Sequence, residues 1–334
     1  MNFKDANCIQ NLPRAADFEI LPRRTVVFPI EWQWVDATLL SFVRMSRTVV
    51  GREAARSFLL LTTLRRARSM WWLSVVVGIA VLIGSGAAGA QTPVVAWSDP
   101  GTQAMASTYD ALYTSDWADG IPSQVGIQSN PGDISVVADP LVPGRNALRA
   151  TISRNEDFTN VANGTPRAEV LFPTPVTFAQ GKDYLIRWST FLPTAFAFDS
   201  KQLVIITQIH QSLPTGSPTI ALGLLGTQYG ISERGGSNPA VASGGKWLCC
   251  ADADRGQWVN WTLRYVPDET GRHSSLVLYK NGVSVYAVQG VPNAYASDQS
   301  AYLKMGLYKA GWKSQPSDVD QITMFFGPVY ISRR

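Results

Sequence analysis

Three short segments alternate a polar residue able to do chemistry with an apolar or small one: Arg167-Ala168-Glu169, Gln208-Ile209-His210 and Tyr302-Leu303-Lys304-Met305-Gly306-Leu307-Tyr308. Side chains in a strand point to opposite faces with period two. Arg167 therefore shares a face with Glu169, Gln208 with His210, and Tyr302 with Lys304 and Tyr308. Imidazole and phenol groups carry protons, while guanidinium, ammonium and amide groups hold negative charge. The spacing predicts a polar, catalytically equipped groove on a β-sheet. The chain has only two histidines, which gives a mid-strand His210 extra weight. His273, beside Gly271 and Arg272, reads as a solvated turn residue.

The elements that must position these groups are strands. Ile134–Val137 and Ala147–Ile152 read as short strands among Ser, Asp, Pro and Gly. Better ones follow at Tyr184–Leu192, Leu203–His210, Thr219–Leu225, Trp258–Val266 and Ser275–Tyr279. The last meets Asn281-Gly282 and then Val283–Val288, a strong hairpin signal because Asn-Gly accepts the positive φ values of a type I′ turn. Ala301–Lys309 and Gln321–Ile331 supply two more. No helical period is sustained long enough for a major helix. Many strands separated by turn signals predict an all-β sandwich or barrel, with the jelly roll as first candidate.

The N-terminal part is of another kind. Trp71–Ala87 is almost free of charge, preceded by Arg65, Arg66 and Arg68 and followed by Ala88-Gly89-Ala90. That order spells a secretory signal peptide over 70–90, cleaved after Ala90. The alternative is an uncleaved signal anchor, since the stretch approaches the roughly 20 residues a bilayer requires. Residues 1–69 read as an N-terminal extension, either disordered or a misassigned start, with Met45 as a better start. Residues 91–334 are then the single domain of a secreted or periplasmic protein.

Charge follows the same division. The first 90 residues hold 11 of the 29 basic and 6 of the 25 acidic residues, leaving 18 against 19. The basic balance belongs to the leader and argues for no nucleic-acid partner. Cys8 lies in the leader, so the mature part keeps Cys249 and Cys250, read as two thiols in a loop because adjacent cysteines close only a strained ring. No Cys/His zinc spacing occurs.

The three segments, in this order and strand context, resemble the motifs of the jelly-roll polysaccharide lyases, a group that includes alginate lyases and the heparin lyase I and glucuronan lyase type. The likeness spans roughly residues 92 to 334. It is nearest to the heparin and glucuronan branch in the C-terminal third, where Gly256-Gln257-Trp258-Val259-Asn260-Trp261 precedes Leu278-Tyr279-Lys280-Asn281-Gly282. Alginate lyases typically carry a second arginine where this chain has Leu171, and read Tyr-Phe-Lys-Ala-Gly against Tyr-Leu-Lys-Met-Gly here. Glucuronan or a related glucuronate polymer is therefore a better substrate expectation than alginate.

The resemblance implies a concanavalin-like jelly roll that cleaves a 4-linked uronic acid by β-elimination, removing the proton on C5 and expelling the C4 oxygen. Arg167, Gln208 and His210 would bind and polarise the carboxylate, and Tyr308 would handle the protons. With proton and leaving oxygen on one side of the ring, as in glucuronate or mannuronate, one tyrosine serves as base and then acid. In guluronate or iduronate they lie on opposite sides, and His210 becomes the base. A free tyrosine titrates near pH 10, so a tyrosine base needs a cation beside it, supplied by Lys304 or Arg167. Glu169 would orient Arg167 at the substrate-binding edge of the site, together with Tyr302, Arg234 and Lys309. The partner implied is an acidic polysaccharide, with no lasting membrane partner and a monomeric state. No cofactor is required for proton transfer; structural calcium occurs in some relatives, with Asp318 and Asp320 as the candidates here.

Lys246, Arg255 and Lys313 are further cations that could meet the polymer, and Trp247, Trp312 and Tyr229 could stack on sugar rings, whereas Trp258 and Trp261 read as core. A noncatalytic carbohydrate-binding module or lectin on the same sandwich is the alternative, since fold does not fix function. A glycoside hydrolase would need two carboxylates flanking the scissile bond. The closely spaced pair Asp252 and Asp254 sits in a Cys- and Gly-flanked loop, which does not suit that role.

Overall fold

The computed structural model describes residues 100–334, except positions 215, 239 and 240. The readings of 1–69 as an extension and 70–90 as a signal peptide, with Cys8, lie outside the described residues. Within them, fifteen strands, numbered β1 to β15 in chain order, form two antiparallel sheets. One has the order β13 (Val283–Gln289), β12 (Ser275–Lys280), β11 (Trp258–Val266), β6 (Tyr184–Phe191), β15 (Gln321–Arg333), β4 (Asn146–Ser153) and β3 (Ile134–Ala138), with β1 (Asp110–Ser115) also on β15. The other runs β10 (Gly244–Leu248), β9 (Gln228–Glu233), β8 (Ile220–Leu225), β7 (Val204–His210), β14 (Tyr302–Tyr308), β5 (Arg167–Leu171) and β2 (Gly126–Gln128). This is the jelly-roll β-sandwich that the strand pattern predicts. One seven-residue helix, Pro100–Ala106, precedes it, and no described helix is long and apolar enough to cross a membrane.

The core fills the space between the sheets with alternate residues of each strand. On β14 these are Leu303, Met305 and Leu307, on β5 Ala168 and Val170, on β8 Ile220, Leu222 and Leu224; Trp188, Trp261 and Leu263 meet them from the larger sheet. Strict alternation sends Tyr302, Lys304, Gly306 and Tyr308 to the opposite, outer face of the smaller sheet. The Asn281-Gly282 turn has φ of 48° and 81°, both positive as expected, and joins β12 to β13.

Four strands escaped the sequence pattern: β1, β2, β9 and β10. Residues 228–233 and 244–248 carry glycines at positions where neighbours crowd in, such as Gly230 beneath the Trp247 ring, and these glycines erase the β-forming signal. Trp261 is core as expected, but Trp258 is only partly buried and donates its N–H to Asp139 at 3.1 Å on the outer side. Cys249 and Cys250, expected as thiols, are joined as a vicinal disulfide.

Candidate active site

The strands β5, β14 and β7 are direct neighbours, so three segments far apart in sequence meet on one face. Register fixes which groups stand together. Tyr302 pairs with His210 and Lys304 with Gln208 on one side; Lys304 pairs with Leu171, Gly306 with Glu169 and Tyr308 with Arg167 on the other. The β7–β14 ladder shifts between Met305 and Tyr308, and the β7–β8 ladder between Ile205 and Thr207. The second shift lets Ile206 face the core while Gln208 and His210 face outward, a phase change that an unbroken strand would not permit.

Gly306 makes the close approach of β14 to β5 possible. Its φ is +140°, and a Cβ there would collide with the Ala168 carbonyl oxygen and lie 2.7 Å from the Glu169 Cα. Only glycine leaves room for Glu169 at that point.

Glu169 is the hub. Its carboxylate takes an ion pair from Lys304 Nζ at 2.7 Å, a longer one from Arg167 Nη1 at 3.4 Å, and a hydrogen bond from the Gln208 amide. Lys304 and Arg167 both also donate to Gln128 Oε1, at 2.9 and 3.2 Å. All four motif residues of this network are buried, Lys304 to 1% exposure. Around its rim stand three half-buried rings. The Arg167 guanidinium lies 4.4 Å from the centre of the Tyr308 ring, and the Tyr302 and His210 rings lie 5.4 Å apart.

Burial first, and then the charges of this network, shift the titration of the rings. Burial pushes the Tyr308 hydroxyl above the usual phenol value, Arg167 pulls it down and Glu169 pushes it up again, so Tyr308 is a phenol at neutral pH. Burial, then the Lys304 charge, hold His210 below the ordinary imidazole value, against the carbonyl of Gln211. His210 Nδ1 lies 2.7 Å from that carbonyl. A carbonyl can only accept, so Nδ1 carries the proton and the neutral ring leaves Nε2 as an acceptor. The carbonyl is itself tethered, because the next residue, Ser212, donates its backbone N–H and its hydroxyl to Asp298 at 3.0 and 2.6 Å. Lys304 is likewise lowered, by burial first, with Glu169 opposing.

A site that combines a phenol, an imidazole, a guanidinium and an amide on the outer face of a jelly roll can hold an anionic sugar and move protons beside it. The family model described as polysaccharide lyase matches residues 110–326. The chain belongs to that family. The lyase thus acts on a polysaccharide. Its fold is similar to endo-β-1,4-glucuronan lyase from the fungus Trichoderma reesei, at TM-score 0.55 and 16% identity over 67% of this chain and 96% of that one. Also similar are the family 7 alginate lyase A1-II′, at TM-score 0.47 and 13% identity over 65% and 96% of the two chains, and a Bacillus licheniformis β-glucanase, at 0.44 and 13% over 66% and 98%. No curated protein matches the sequence of the lyase.

Several expected groove residues stand elsewhere in the lyase. Lys309 is wholly buried, paired with Asp199 at 2.7 Å and bonded to the Gln202 carbonyl at 3.1 Å, so it cannot meet a polymer. Glu169 acts beneath the surface, on Arg167, Lys304 and Gln208, rather than as a substrate contact. Tyr229 and Trp312 are core rings. Lys246 donates to the Val285 carbonyl, Lys313 to the Arg154 and Glu156 carbonyls, and Arg255 lies over Phe198. Asp318 binds Ser200 and Lys201, Asp320 stands 3.9 Å from Arg154, and no three potential metal-binding side chains cluster among the described residues. Arg234 and Trp247 do lie on the outer face of the smaller sheet, two and three strands beyond β7. Gln128 and Gly306 are the residues that sequence reasoning passed over. Gln128 ends a three-residue strand in a Ser- and Pro-rich stretch and gives no signal; Gly306 breaks the polar side of an otherwise regular alternation, which is one.

Proposed function

We propose that the lyase cleaves a 4-linked uronic-acid polymer, of the glucuronan or a related glucuronate type, by β-elimination at the Arg167–Tyr308 rim. The observation that carries this is the pairing of Tyr308 with Arg167 across β14 and β5, with the guanidinium 4.4 Å from the ring centre. A carboxylate held by Arg167 and Gln208 places the adjacent C5 next to the tyrosine. Neutralising that carboxylate is what makes its C5 proton acidic enough to leave, and such positioned donors are typically worth about 3–4 kcal/mol each.

Tyr308 is the proton carrier at C5 and O4. Its own phenol proton must first leave to solvent; the Arg167 cation opposes the burial that otherwise disfavours the resulting phenolate, which takes the C5 proton and returns it to the leaving O4 when both lie on one side of the ring. His210 takes up a proton at Nε2 when the anionic sugar arrives and then donates to its carboxylate. The Nδ1 proton locked on Gln211 favours a second assignment for 5-epimers: bare Nε2 is already a base, with Tyr308 as acid. Leu171, on the same face beside Lys304 and Gly126, leaves that position without a second cation and fits a polymer that makes fewer charge contacts there. Export to the periplasm or beyond, cleavage after Ala90 and action as a monomer are part of the same proposal.

The test is a panel of glucuronan, alginate, heparin and heparan sulfate followed by ultraviolet absorbance of the new double bond. Absorbance on a glucuronate polymer is the expected result. Binding without absorbance would support a lectin, and new reducing ends without a double bond a hydrolase.

A further inference from the structure

The outer face of the smaller sheet continues past β7, and its register draws one row across five strands. Tyr308 pairs with Ile205, Ile205 with Gly223, Gly223 with Gly230, and Gly230 with Trp247. Four strand spacings separate the two ends, about 19 Å. Glycine at two of the three inner positions leaves room for side chains from elsewhere to lie across the row: Leu203 over Gly223, with its Cδ1 3.0 Å from where a Cβ would stand, and Trp247 over Gly230. The absence of a Cβ at Gly230 also lets the Trp247 ring settle on β9, since a Cβ there would come within 2.6 Å of the indole Cζ3. Trp247 nonetheless keeps 43% of its surface exposed, and it is the one aromatic among the exposed large hydrophobic residues described.

A cation stands beside it. Arg234 follows β9 directly, and its backbone N–H donates to the Thr219 carbonyl at 2.7 Å, extending the sheet. Its guanidinium turns back to Ser232, 3.4 Å from the Oγ. Ser232 lies between Gly230 and Arg234 on the same face, so the cation and the ring over Gly230 are about one alternate-residue step, ~7 Å, apart. Arg234 is 7% exposed, nearly the same as Arg167 at 6%. Its Nε has no hydrogen-bond partner, and no carboxylate among the described residues pairs with it. Arg167 by contrast has Glu169. A buried guanidinium without an anion is costly, and a ligand carboxylate would relieve that cost.

We infer that Trp247 and Arg234 form a second sugar subsite, several units along the polymer from Tyr308, where the indole stacks on a pyranose ring and the guanidinium takes the carboxylate of another uronate. This rests on the uronate reading of the Arg167–Tyr308 site and deepens it: the lyase recognises an extended stretch of acidic chain.

The test compares Trp247→Ala and Arg234→Met with the unaltered protein on a glucuronan trisaccharide and on the polymer. A charge-assisted hydrogen bond is worth roughly tenfold to a hundredfold in a binding constant. The expected result is a rise in KM at least tenfold greater on the polymer than on the trisaccharide. Equal rises on both substrates, or none, would overturn the subsite. Calorimetric binding to intact and carboxyl-reduced glucuronan, in the Tyr308→Phe background, separates the two roles without needing turnover. Trp247→Ala should weaken both polymers, whereas Arg234→Met should weaken the acidic one alone; loss of affinity for neither contradicts the inference. If the unaltered protein forms no double bonds, the uronate-elimination reading fails while the binding arm still decides the subsite. Should Arg234→Met not fold, the exposed Trp247→Ala decides together with Arg234→Lys, which keeps charge but not the planar fork.

Discussion

Two lysines five residues apart, Lys304 and Lys309, meet the same chemical fate by one measure and opposite fates by another. Each is essentially buried and each holds a carboxylate at 2.7 Å, Glu169 in one case and Asp199 in the other. Around Asp199 every partner is a donor that ties a loop down: Lys309, the Ser317 hydroxyl, and the backbone N–H groups of Lys201, Gln202 and Asp318. Burial alone would raise the Asp199 carboxyl, but these bonds more than offset it and hold it well below the usual range. Around Glu169 the partners are the tools of the site, Arg167 and Gln208, and beyond them half-buried tyrosines and a histidine facing outward. A closed ion pair locks structure. An ion-pair hub beside titrating rings adjusts a titration that burial has already shifted.

The largest effect expected is at the rim. Tyr308→Phe removes the proposed proton carrier and should lower formation of unsaturated ends by about a hundredfold to ten-thousandfold, with the thermal unfolding midpoint nearly unchanged. Breaking each hub comes next and separates the two regions. Glu169→Ala and Asp199→Ala both strand a buried lysine, and each should cost about 3–5 kcal/mol in denaturant unfolding. Only Glu169→Ala should also depress kcat per folded molecule, because only its partners stand at the proposed sugar site.

A subtler effect separates the two regions by titration. Because Lys304 disfavours the imidazolium, Lys304→Met should move the His210 titration to higher pH, and Lys309→Met should not. Two histidines in the chain make the imidazole resonances easy to assign by NMR. The sign also bears on activity. With its value held below 6.5, His210 stays neutral as pH falls from 7 until that lowered value is reached. If it serves by taking up a proton, KM should rise with pH above this inflection; if it is the base, kcat/KM should fall below it. The smallest effect belongs to the exposed Lys246, which donates to the Val285 carbonyl: Lys246→Ala should stay within about 0.5 kcal/mol in stability.

The same contrast explains what could be read before the fold was known. Period-two alternation put Arg167, Glu169, Gln208, His210, Tyr302, Lys304 and Tyr308 outward, and all seven gather on one face of three adjacent strands. Lys309 directly follows Tyr308, where alternation ends at the strand terminus; its direction is set by Asp199, more than a hundred residues upstream, which no local pattern reveals. Gln128 was invisible for the same reason, since its role comes from β2 pairing with β5 at the sheet edge. Tyr229 and Trp312 could not be told from Trp247 by residue type. The difference lies in whether a ring points between the sheets or across a glycine on the outer face.

The most direct measurement is a crystal structure of the Tyr308→Phe protein with a glucuronan oligosaccharide. A uronate carboxylate within hydrogen-bonding distance of Arg167 and Gln208, with its C5 turned toward residue 308, is the predicted result. An oligosaccharide seated on the larger sheet, or crossing the smaller one with no carboxylate at Arg167, would contradict the account.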